Sequence, residues 1–430
     1  MSDSLVMFAV LFGGIALGVP IPIAVAIACA VGVWLIDIPL VFLAQNMYDA
    51  LEGIPLMTIP LFVLAGALME KSGMALRLVN VAQAMVGRFR GSLGLVAIVG
   101  CTFFAALSGS GPATTAAVGA VTLPAMLKQR YSPAFGGAVV ASGGALGSLI
   151  PPSNLMIIYG IVSDNSIPRL FLAGILPGIA ASLLLMVCVW VIARRLGYGG
   201  SDEPFSWARL GEAAWDGKWA LAAPLVILGG IYSGIFTTTE AASVATVYAL
   251  VIGLFVYRGL SLRDLFDCLK VTAIISGSVV IILGPAKAFG QLVSLMEVPE
   301  LVGGLLSGAT DSAFLTLMII ALVLIVTGMF LESIAQIILF TPLLLPIVVP
   351  LGIDPITFGV IMVVACEIGF LTPPVGANLF VAARLTGLGI EPISVAVIPF
   401  LFAYLLIIVG LALLPDLVLL LPNAVYGPAG

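Results

Sequence analysis

The amino-acid sequence predicts an all-α polytopic membrane protein with an inverted repeat of two re-entrant helical hairpins and two broken helices. Three observations predict this class: a very apolar composition, two long apolar segments whose two ends carry matching charges, and two Pro-Pro breaks at equivalent places. Of the 430 residues, 62% are hydrophobic and 9% are charged, and the mean hydropathy is +1.27. Soluble domains have about 45–50% apolar and about 25% charged residues. This composition requires a lipid bilayer as the main solvent, and roughly 20 residues per span leave room for about ten to twelve passages.

The residue inventory excludes several classes of function. The chain has no histidine, which removes the commonest general base and the usual zinc ligand. Its five cysteines stand singly, so they form no CxxC motif. The net charge is −5 and the basic residues form no long run, so no nucleic-acid partner is expected. An intramembrane enzyme is disfavoured as well, because no pair of nucleophile and base is evident.

In the first part of the chain, lysines and arginines orient the passages, because short cytoplasmic loops are enriched in them. Residues 5–36 form an apolar run in which Pro20 and Pro22 leave open one crossing or two. Residues 54–69 then cross to a basic, cytoplasmic region, and residues 75–89 are expected to form an amphipathic arm on the membrane surface. The basic residues of this region are Lys71, Arg77, Arg88 and Arg90.

The apolar segment 92–127 is long enough for two helices, yet basic residues flank both of its ends. Its midpoint, Ser108-Gly109-Ser110-Gly111-Pro112, breaks helical structure. Unpaired backbone is tolerated at membrane depth only where it lines a cavity or is buried in protein. We therefore expect a re-entrant hairpin with a polar tip. Residues 133–162 then cross outward, residues 170–193 return, and the polar segment 197–217 links two halves.

The second half repeats this order from the other side of the membrane. After two crossings, Leu262, Leu265, Phe266 and Leu269 predict a second surface arm, which precedes a crossing at residues 271–296. The next apolar segment again breaks near its middle, at Thr327-Gly328-Met329, and its flanks carry acidic residues and no basic ones. This second hairpin is therefore expected to enter from outside, whereas the first enters from inside.

Short sequence matches support the repeat. Residues 147–154, GSLIPPSN, resemble residues 369–378, GFLTPPVGAN, and each Pro-Pro pair follows its hairpin tip by about 40 residues. Inverted repeats with discontinuous helices are the architecture of ion-coupled secondary transporters. The predicted parts are scaffold helices with a first arm at 1–90, a first transport repeat at 91–196, a cytoplasmic linker at 197–217, scaffold helices with a second arm at 218–311, and a second transport repeat at 312–430.

The chemistry of the breaks favours the binding of both a cation and an anionic substrate. A Pro-Pro pair leaves carbonyl groups of the preceding turn without helical partners, and hard cations prefer such oxygen ligands. We expect carbonyls of residues 147–151 to meet those of 108–111, and Gly328 to meet residues 369–373. The half-helices that begin after the breaks direct their positive ends at an anionic substrate. The side chains expected to add hydrogen bonds to it are Thr115, Ser153, Asn154 and Asn378.

Ionisable residues inside apolar segments are functional hypotheses by default. Lys287 is predicted to contact the substrate, although Lys287 and Arg384 equally fit snorkelling to the interface. Glu332 and Glu367 leave a proton-coupled organic acid transporter as an alternative. Sodium is the expected coupling ion, because the tip at 108–111 and the break at 150–152 contain no carboxylate, and their oxygens coordinate Na⁺ without titrating.

Three motifs resemble the large membrane subunit of TRAP transporters, the DctM family. They are FFAALSGSGPAT at 103–114, LIPPS at 149–153 and TPPVGAN at 372–378. The segment 237–242, TTTEAA, is similar to that family's Thr-Pro-Thr-Glu-Ala-Ala signature, with Thr238 in place of proline. The resemblance extends over nearly the whole chain.

The resemblance implies a tripartite, sodium-driven importer of the bacterial inner membrane that works by an elevator mechanism. Its partners would be a small four-helix membrane subunit of the DctQ type and a periplasmic solute-binding protein of the DctP type, which delivers a small organic anion such as a carboxylate, sialic acid or a sulfonate. A self-sufficient divalent-anion/Na⁺ symporter is the alternative. Two or more sodium sites are implied at the tips and breaks. Their residues are Ser108, Ser110, Gly147, Ile150, Gly328, Gly369 and Thr372.

Overall fold

The protein is built from helices, which confirms the predicted all-α class. The computed structural model describes residues 2–52, 54–87, 91–199, 205–310 and 312–428, and within these ranges it contains no strand. Arg88 and Arg90, which mark the first cytoplasmic region in the sequence, lie outside the described residues, as do Gly53, Phe89 and Asp311.

The helices of the first half and the linker are α1 (Ser2–Ala16), α2 (Ile21–Leu35), α3 (Val41–Asp49), α4 (Thr58–Lys71), α5 (Met74–Val86), α6 (Ser92–Ser108), α7 (Gly111–Lys128), α8 (Pro133–Leu149), α9 (Asn154–Val162), α10 (Ile167–Leu196) and α11 (Trp207–Asp216). Those of the second half are α12 (Lys218–Tyr232), α13 (Thr238–Val251), α14 (Leu262–Leu295), α15 (Val298–Ala309), α16 (Ala313–Gly328), α17 (Ser333–Val348), α18 (Pro355–Phe370), α19 (Ala377–Thr386), α20 (Ile390–Leu413) and α21 (Pro415–Tyr426). A π-helical turn, Ile252–Val256, extends α13, and short 3-10 turns occupy Ile54–Met57 and Val349–Leu351.

The first apolar run forms two helices rather than one. The chain turns between α1 and α2, and the two helices pack on each other in antiparallel order. A Cβ atom at Gly14 would lie 3.4 Å from the Ala24 side chain, and one at Gly32 would lie 2.8 Å from the Met7 sulfur. The start and the end of this run are therefore on the same side of the protein.

The two predicted arms differ from each other. The first is a separate helix, α5, which bends away from α4 by 66°. Gly73 makes the corner with a φ of +84°, a conformation that glycine adopts without steric cost. The predicted second arm is wrong as a separate element, because residues 262–269 form the first turns of the 34-residue helix α14. The physical reason is that no glycine or proline occurs between Leu262 and Ser276 to end a helix there.

Several helices are suited to cross a bilayer. Among the described residues, six are long and apolar enough, or up to seven if the bent pair α4–α5 counts as one span. Other apolar helices, including α2, α6, α16 and α18, are shorter. The ten to twelve passages and the re-entrant insertion of the hairpins stay predictions. The six helices are Pro133–Val162, Ile167–Leu196, Thr238–Val256, Leu262–Leu295, Ser333–Leu351 and Ile390–Leu413.

Two broken helices, α8–α9 and α18–α19, form the centre of the protein. Nearly every residue of α8 and of α18 is buried, as expected for helices that are apolar on all sides. They run antiparallel to each other. The Tyr159 hydroxyl at the end of α9 donates to the Pro355 carbonyl at the start of α18, at 2.6 Å, whereas Gly137 near the start of α8 contacts Thr386 at the end of α19.

This antiparallel arrangement predicts opposite membrane sides for the open ends of the two hairpins, which are α6–α7 and α16–α17. Lys128 ends α7 and Leu351 follows α17, and both side chains are exposed. In a cysteine-free background, Lys128→Cys and Leu351→Cys should react with an impermeant thiol reagent from opposite sides, with Lys128→Cys reacting from the cytoplasm. Labelling of both positions from one side would contradict the inverted repeat.

Candidate functional site

The tip of the first hairpin is a tight glycine turn. Helix α6 ends at Ser108, Gly109 has a φ of +62°, Ser110 is extended and α7 begins at Gly111. A Cβ atom at Gly109 would lie 2.6 Å from the Pro152 carbonyl oxygen. Glycine is therefore needed here both for the backbone conformation and for the close approach of the tip to the first break. The Ser108 hydroxyl is hydrogen bonded to the Thr114 hydroxyl at 2.6 Å.

The first break separates α8 from α9. Ile150 is extended, the Pro151–Pro152 peptide bond is cis, and Ser153 is the N-cap of α9, where its hydroxyl accepts a hydrogen bond from the Met156 amide at 3.3 Å. The same hydroxyl donates to the Ser148 carbonyl. Ser153 is therefore hydrogen bonded to the helix on each side of the break, to Ser148 of α8 and to Met156 of α9. It is fully buried, with no contact to the surface.

The tip of the first hairpin is seated on this break. The Gly109 carbonyl accepts a hydrogen bond from the backbone amide of Asn154 at 3.1 Å. The backbone amide of Gly111 donates to the Ser148 hydroxyl at 3.2 Å. A Cβ atom at Gly147 would lie 2.5 Å from the Ser110 carbonyl oxygen. The structure thus brings the predicted residues Ser108, Ser110 and Gly147 together. The fourth predicted residue, Ile150, is half-buried and packs against Gly178.

The second hairpin meets the second break in the same way. The Met329 carbonyl accepts from the Val375 amide at 3.1 Å, which matches the bond between the first tip and the first break. A Cβ atom at Gly369 would lie 2.6 to 2.8 Å from backbone atoms of Gly328. The Thr372 hydroxyl donates to the Ile368 carbonyl at 2.7 Å. The predicted residues Gly328, Gly369 and Thr372 are therefore close together as well.

The two sites differ in exposure. Pro151, Pro152 and Ser153 of the first break are buried, whereas Pro373 and Val375 of the second break are exposed. The first site is thus enclosed by protein in this conformation. The second site is open at the surface.

The two repeats meet at a buried group of polar residues. Glu367 of α18 is 1% exposed and Asn378 of α19 is fully buried, and the Asn378 Nδ2 donates to the Glu367 Oε2 at 3.3 Å. Both side chains face the tip of the first hairpin, because a Cβ atom at Gly111 would lie 2.9 Å from Glu367 Oε2 and 3.0 Å from Asn378 Oδ1. The Ser148 side chain also lies beside the carboxyl group. Hairpin, first break and second break therefore share one junction.

The other predicted substrate contacts lie in different environments. Thr115 is buried, and its hydroxyl donates to the Gly111 carbonyl at 3.0 Å. Asn154 is half-buried beside Gly109. Lys287 is exposed on α14, which belongs to neither hairpin nor broken helix, and Arg384 is exposed near the end of α19. The structure does not bring Lys287 to the tips or breaks.

Sequence reasoning missed three contributors to these sites. The Ser148 hydroxyl accepts a hydrogen bond from the Gly111 amide of the first tip. Gly66 of α4 lies against the Ser108 carbonyl. Gln336 lies behind the second tip, where its Nε2 donates to the Thr327 hydroxyl at 2.9 Å. The Gln336 Oε1 has no hydrogen-bond partner. A buried glutamine inside an apolar helix was a usable signal, whereas the role of Gly66 depends on long-range packing.

The oxygens at these sites suit an alkali cation rather than a transition metal. Among the described residues, no three or more histidine, cysteine, aspartate or glutamate side chains are grouped so that they could hold a metal ion. Carbonyl, hydroxyl and amide oxygens at the tips and breaks are the ligand type that hard cations take. The residues present therefore fit Na⁺ in chemical type.

The chain is similar to known transport proteins along nearly its whole length. Residues 5–417 match the family described as the tripartite ATP-independent periplasmic transporter, DctM component. The chain is 42% identical to the isethionate TRAP transporter permease protein DctMQ of Oleidesulfovibrio alaskensis, over 91% of this chain and 62% of that protein, so it spans less than two thirds of that relative. It is 37% identical to the C4-dicarboxylate TRAP transporter large permease protein DctM of Rhodobacter capsulatus, over 98% and 99% of the two chains. It is 35% identical to the sialic acid TRAP transporter large permease protein SiaM of Vibrio cholerae, over 90% of each.

Two solved structures share the fold at low sequence identity. The Alcanivorax borkumensis YdaH transporter gives a TM-score of 0.64 at 15% identity and covers 90% of this chain and 89% of its own. Neisseria gonorrhoeae MtrF gives a TM-score of 0.60 at 14% identity, with 87% and 83% covered.

The close approach at Gly147 predicts the effect of adding one methyl group. Gly147→Ala should push the first tip away from the first break and lower the free energy of unfolding by about 1–3 kcal/mol, as overpacking does. Gly229→Ala in α12 is the matched control, because a Cβ atom there has no neighbour within 4 Å. Unfolding of both variants in detergent measures the difference. Equal stability of Gly147→Ala and the wild type would contradict the seated tip.

Proposed function

Since the chain belongs to the DctM component family of tripartite ATP-independent periplasmic transporters, we propose that it drives import of a small organic anion with a sodium gradient. Members of this family are membrane transport subunits, so the chain is a multi-pass permease and not an enzyme. The sodium coupling, the anion and the mechanism are the proposed part. The observation that carries the proposal is the matched seating of each hairpin tip on a helix break.

The proposed ion is Na⁺ because of the ligands at the two tips. Ser108, Ser110 and Gly147 converge at the first site, and Gly328, Gly369 and Thr372 converge at the second. These residues offer carbonyl and hydroxyl oxygens, which bind a cation without changing charge with pH. Two such sites related by the inverted repeat support binding of two or more sodium ions.

The proposed substrate is an anion because helix N-termini gather at the same place. Helices α7 and α9 begin at the first tip and break, while α17 and α19 begin at the second. The N-terminus of a helix carries partial positive charge and favours anionic groups. The substrates in the names of the relatives, isethionate, C4-dicarboxylate and sialic acid, are all organic acids. Carboxylates and sulfonates of this size are therefore the proposed substrate class.

The proposed partners are a small permease subunit and a periplasmic solute-binding protein. The relatives carry the names large permease protein and TRAP transporter, and the family is described as tripartite and periplasmic. In the described part of this chain, the segment between α10 and α12 contains only the ten-residue helix α11, and the segment between α2 and α4 only the nine-residue helix α3 and a short 3-10 turn. Capture of substrate outside the membrane would then be the task of the binding protein. The proposed location is the bacterial inner membrane.

The proposed mechanism is an elevator, in which the hairpins and broken helices move together against the scaffold helices. Two contacts between these groups are made through glycine. Gly66 of α4 lies against Ser108, and Gly290 of α14 lies against Pro342 of α17. Small residues allow close helix contact with little interdigitation of side chains, which favours sliding at these points.

Reconstitution tests this proposal. Proteoliposomes that contain the chain and its small partner subunit should accumulate substrate when three conditions hold: an inward sodium gradient, the loaded binding protein outside, and both membrane subunits present. Uptake by the chain alone would favour a self-sufficient divalent-anion/Na⁺ symporter. Uptake driven by a proton gradient in the absence of sodium would contradict sodium coupling.

Variants in the same assay connect uptake to the tips. Ser108→Ala and Thr372→Ala each remove one hydroxyl, so the sodium concentration for half-maximal uptake should rise about two- to tenfold, the range expected from one hydrogen bond of about 0.5–1.5 kcal/mol. Ser278→Ala is the matched control, because its hydroxyl is exposed on α14 and bonds only to the Ile274 carbonyl at 2.9 Å. A sodium dependence that is unchanged in all three variants would argue against the tip sites.

A further inference from the structure

The junction between the two repeats has properties that the tip-and-break sites lack. It contains a carboxylate, Glu367, which is 1% exposed at the centre of the protein. In the described part of the chain, no lysine or arginine forms an ion pair with it. A buried charged group is costly unless it is paired, hydrogen bonded or bound to a metal. The neutral side chains of Asn378, at 3.3 Å, and of Ser148 beside it are weak compensation for a full negative charge.

Two oxygens at this junction have no hydrogen-bond donor. They are Oε1 of Glu367 and Oδ1 of Asn378, and both side chains are at least 99% buried. Buried acceptors of this kind are rare in proteins and call for a partner. The Asn378 side chain already donates its Nδ2 to the Glu367 Oε2, so the two remaining oxygens need a hydrogen-bond donor or a cation.

The two side chains converge on the tip of the first hairpin. Glu367 Oε2 and Asn378 Oδ1 would lie 2.9 and 3.0 Å from a Cβ atom at Gly111, so any larger residue there would displace them. Gly111 in turn donates its amide to Ser148 of the first break. The carboxylate of the second repeat is thus held against the first repeat's tip.

This feature has no counterpart in the other repeat. When the chain is aligned on its two Pro-Pro pairs, Ala145 occupies the position that corresponds to Glu367. Among the described residues, the inverted repeat therefore supplies two similar tip-and-break sites but only one fully buried carboxylate. Any function that depends on the Glu367 carboxylate therefore belongs to one repeat and not to both.

We propose that Glu367 and Asn378 bind one further Na⁺ ion at the junction where they meet Gly111 of the first tip. Glu367 Oε1 and Asn378 Oδ1 are its side-chain ligands, and the ion neutralises the carboxylate. Oxygen donors of this type, one charged and one neutral, suit a hard monovalent cation. Because both ligands lie against Gly111 of the first tip, an ion held there stabilises contact between the two repeats. Its part in coupling rests on the proposed function, but the binding itself does not.

Equilibrium binding of ²²Na⁺ to the full-length chain in nanodiscs tests the site without substrate, partner or gradient. NaCl replaces choline chloride at constant ionic strength and fixed pH. Glu367→Gln keeps the size of the side chain and removes its charge, so it should bind one Na⁺ fewer per chain than the wild type at the same sodium concentration. Glu391→Gln is the matched control, an exposed carboxylate at the start of α20, and should bind as the wild type does.

A second variant covers the case in which Glu367→Gln does not fold. Asn378→Ala retains the carboxylate and removes one ligand, so its affinity for Na⁺ at this site should fall about tenfold or more. If either variant folds and still binds ²²Na⁺ as the wild type does, the proposal is overturned and Glu367 has a neutral, structural role. Sodium-driven uptake with unchanged ²²Na⁺ binding in Glu367→Gln would sink this site alone. Loss of one bound ²²Na⁺ in Glu367→Gln with an unchanged sodium dependence of uptake would sink only the part of this site in coupling.

Discussion

The need to satisfy backbone polar groups away from water is the constraint on which this structure depends. A helix that is interrupted inside a membrane protein exposes amide and carbonyl groups that lipid cannot bind. Here each interruption is covered by a hairpin tip. The Asn154 amide donates to the Gly109 carbonyl, and the Val375 amide donates to the Met329 carbonyl. Each broken helix therefore needs its hairpin, and the turns, glycines and caps around the two breaks follow from that requirement.

The same constraint connects the fold to the proposed chemistry. Seating a tip on a break brings carbonyl and hydroxyl oxygens close together at a point where helices begin, which places cation ligands beside positive helix ends. The antiparallel course of α8–α9 and α18–α19 then brings the second repeat's Glu367 to the first repeat's Gly111. An ion in this region would stabilise contacts between elements that are far apart in the sequence.

Local patterns were sufficient to predict much of this arrangement from the sequence. Glycine, serine and proline at 108–112 predicted the first tip, and the Pro-Pro pairs predicted both breaks, because these residues act on their own backbone. Packing between distant segments was not predictable in this way. The junction of Glu367, Asn378 and Gly111 depends on how two antiparallel helices align, and no local periodicity records that register. The second arm shows the limit of local patterns themselves. The amphipathic face at 262–269 predicted a separate helix, but no residue there ends the helix, which continues as α14.

Sodium is proposed to bind where the hairpin tips pack against the helix breaks. Hydrogen exchange of the backbone amides at residues 150–156 and 372–378 tests it most directly, because Asn154 and Val375 donate across the two contacts. Exchange is compared for the chain in NaCl and in choline chloride at equal ionic strength. We expect slower exchange in NaCl at both segments, with little change in α12 and α20. Equal exchange in the two salts at both breaks would contradict it.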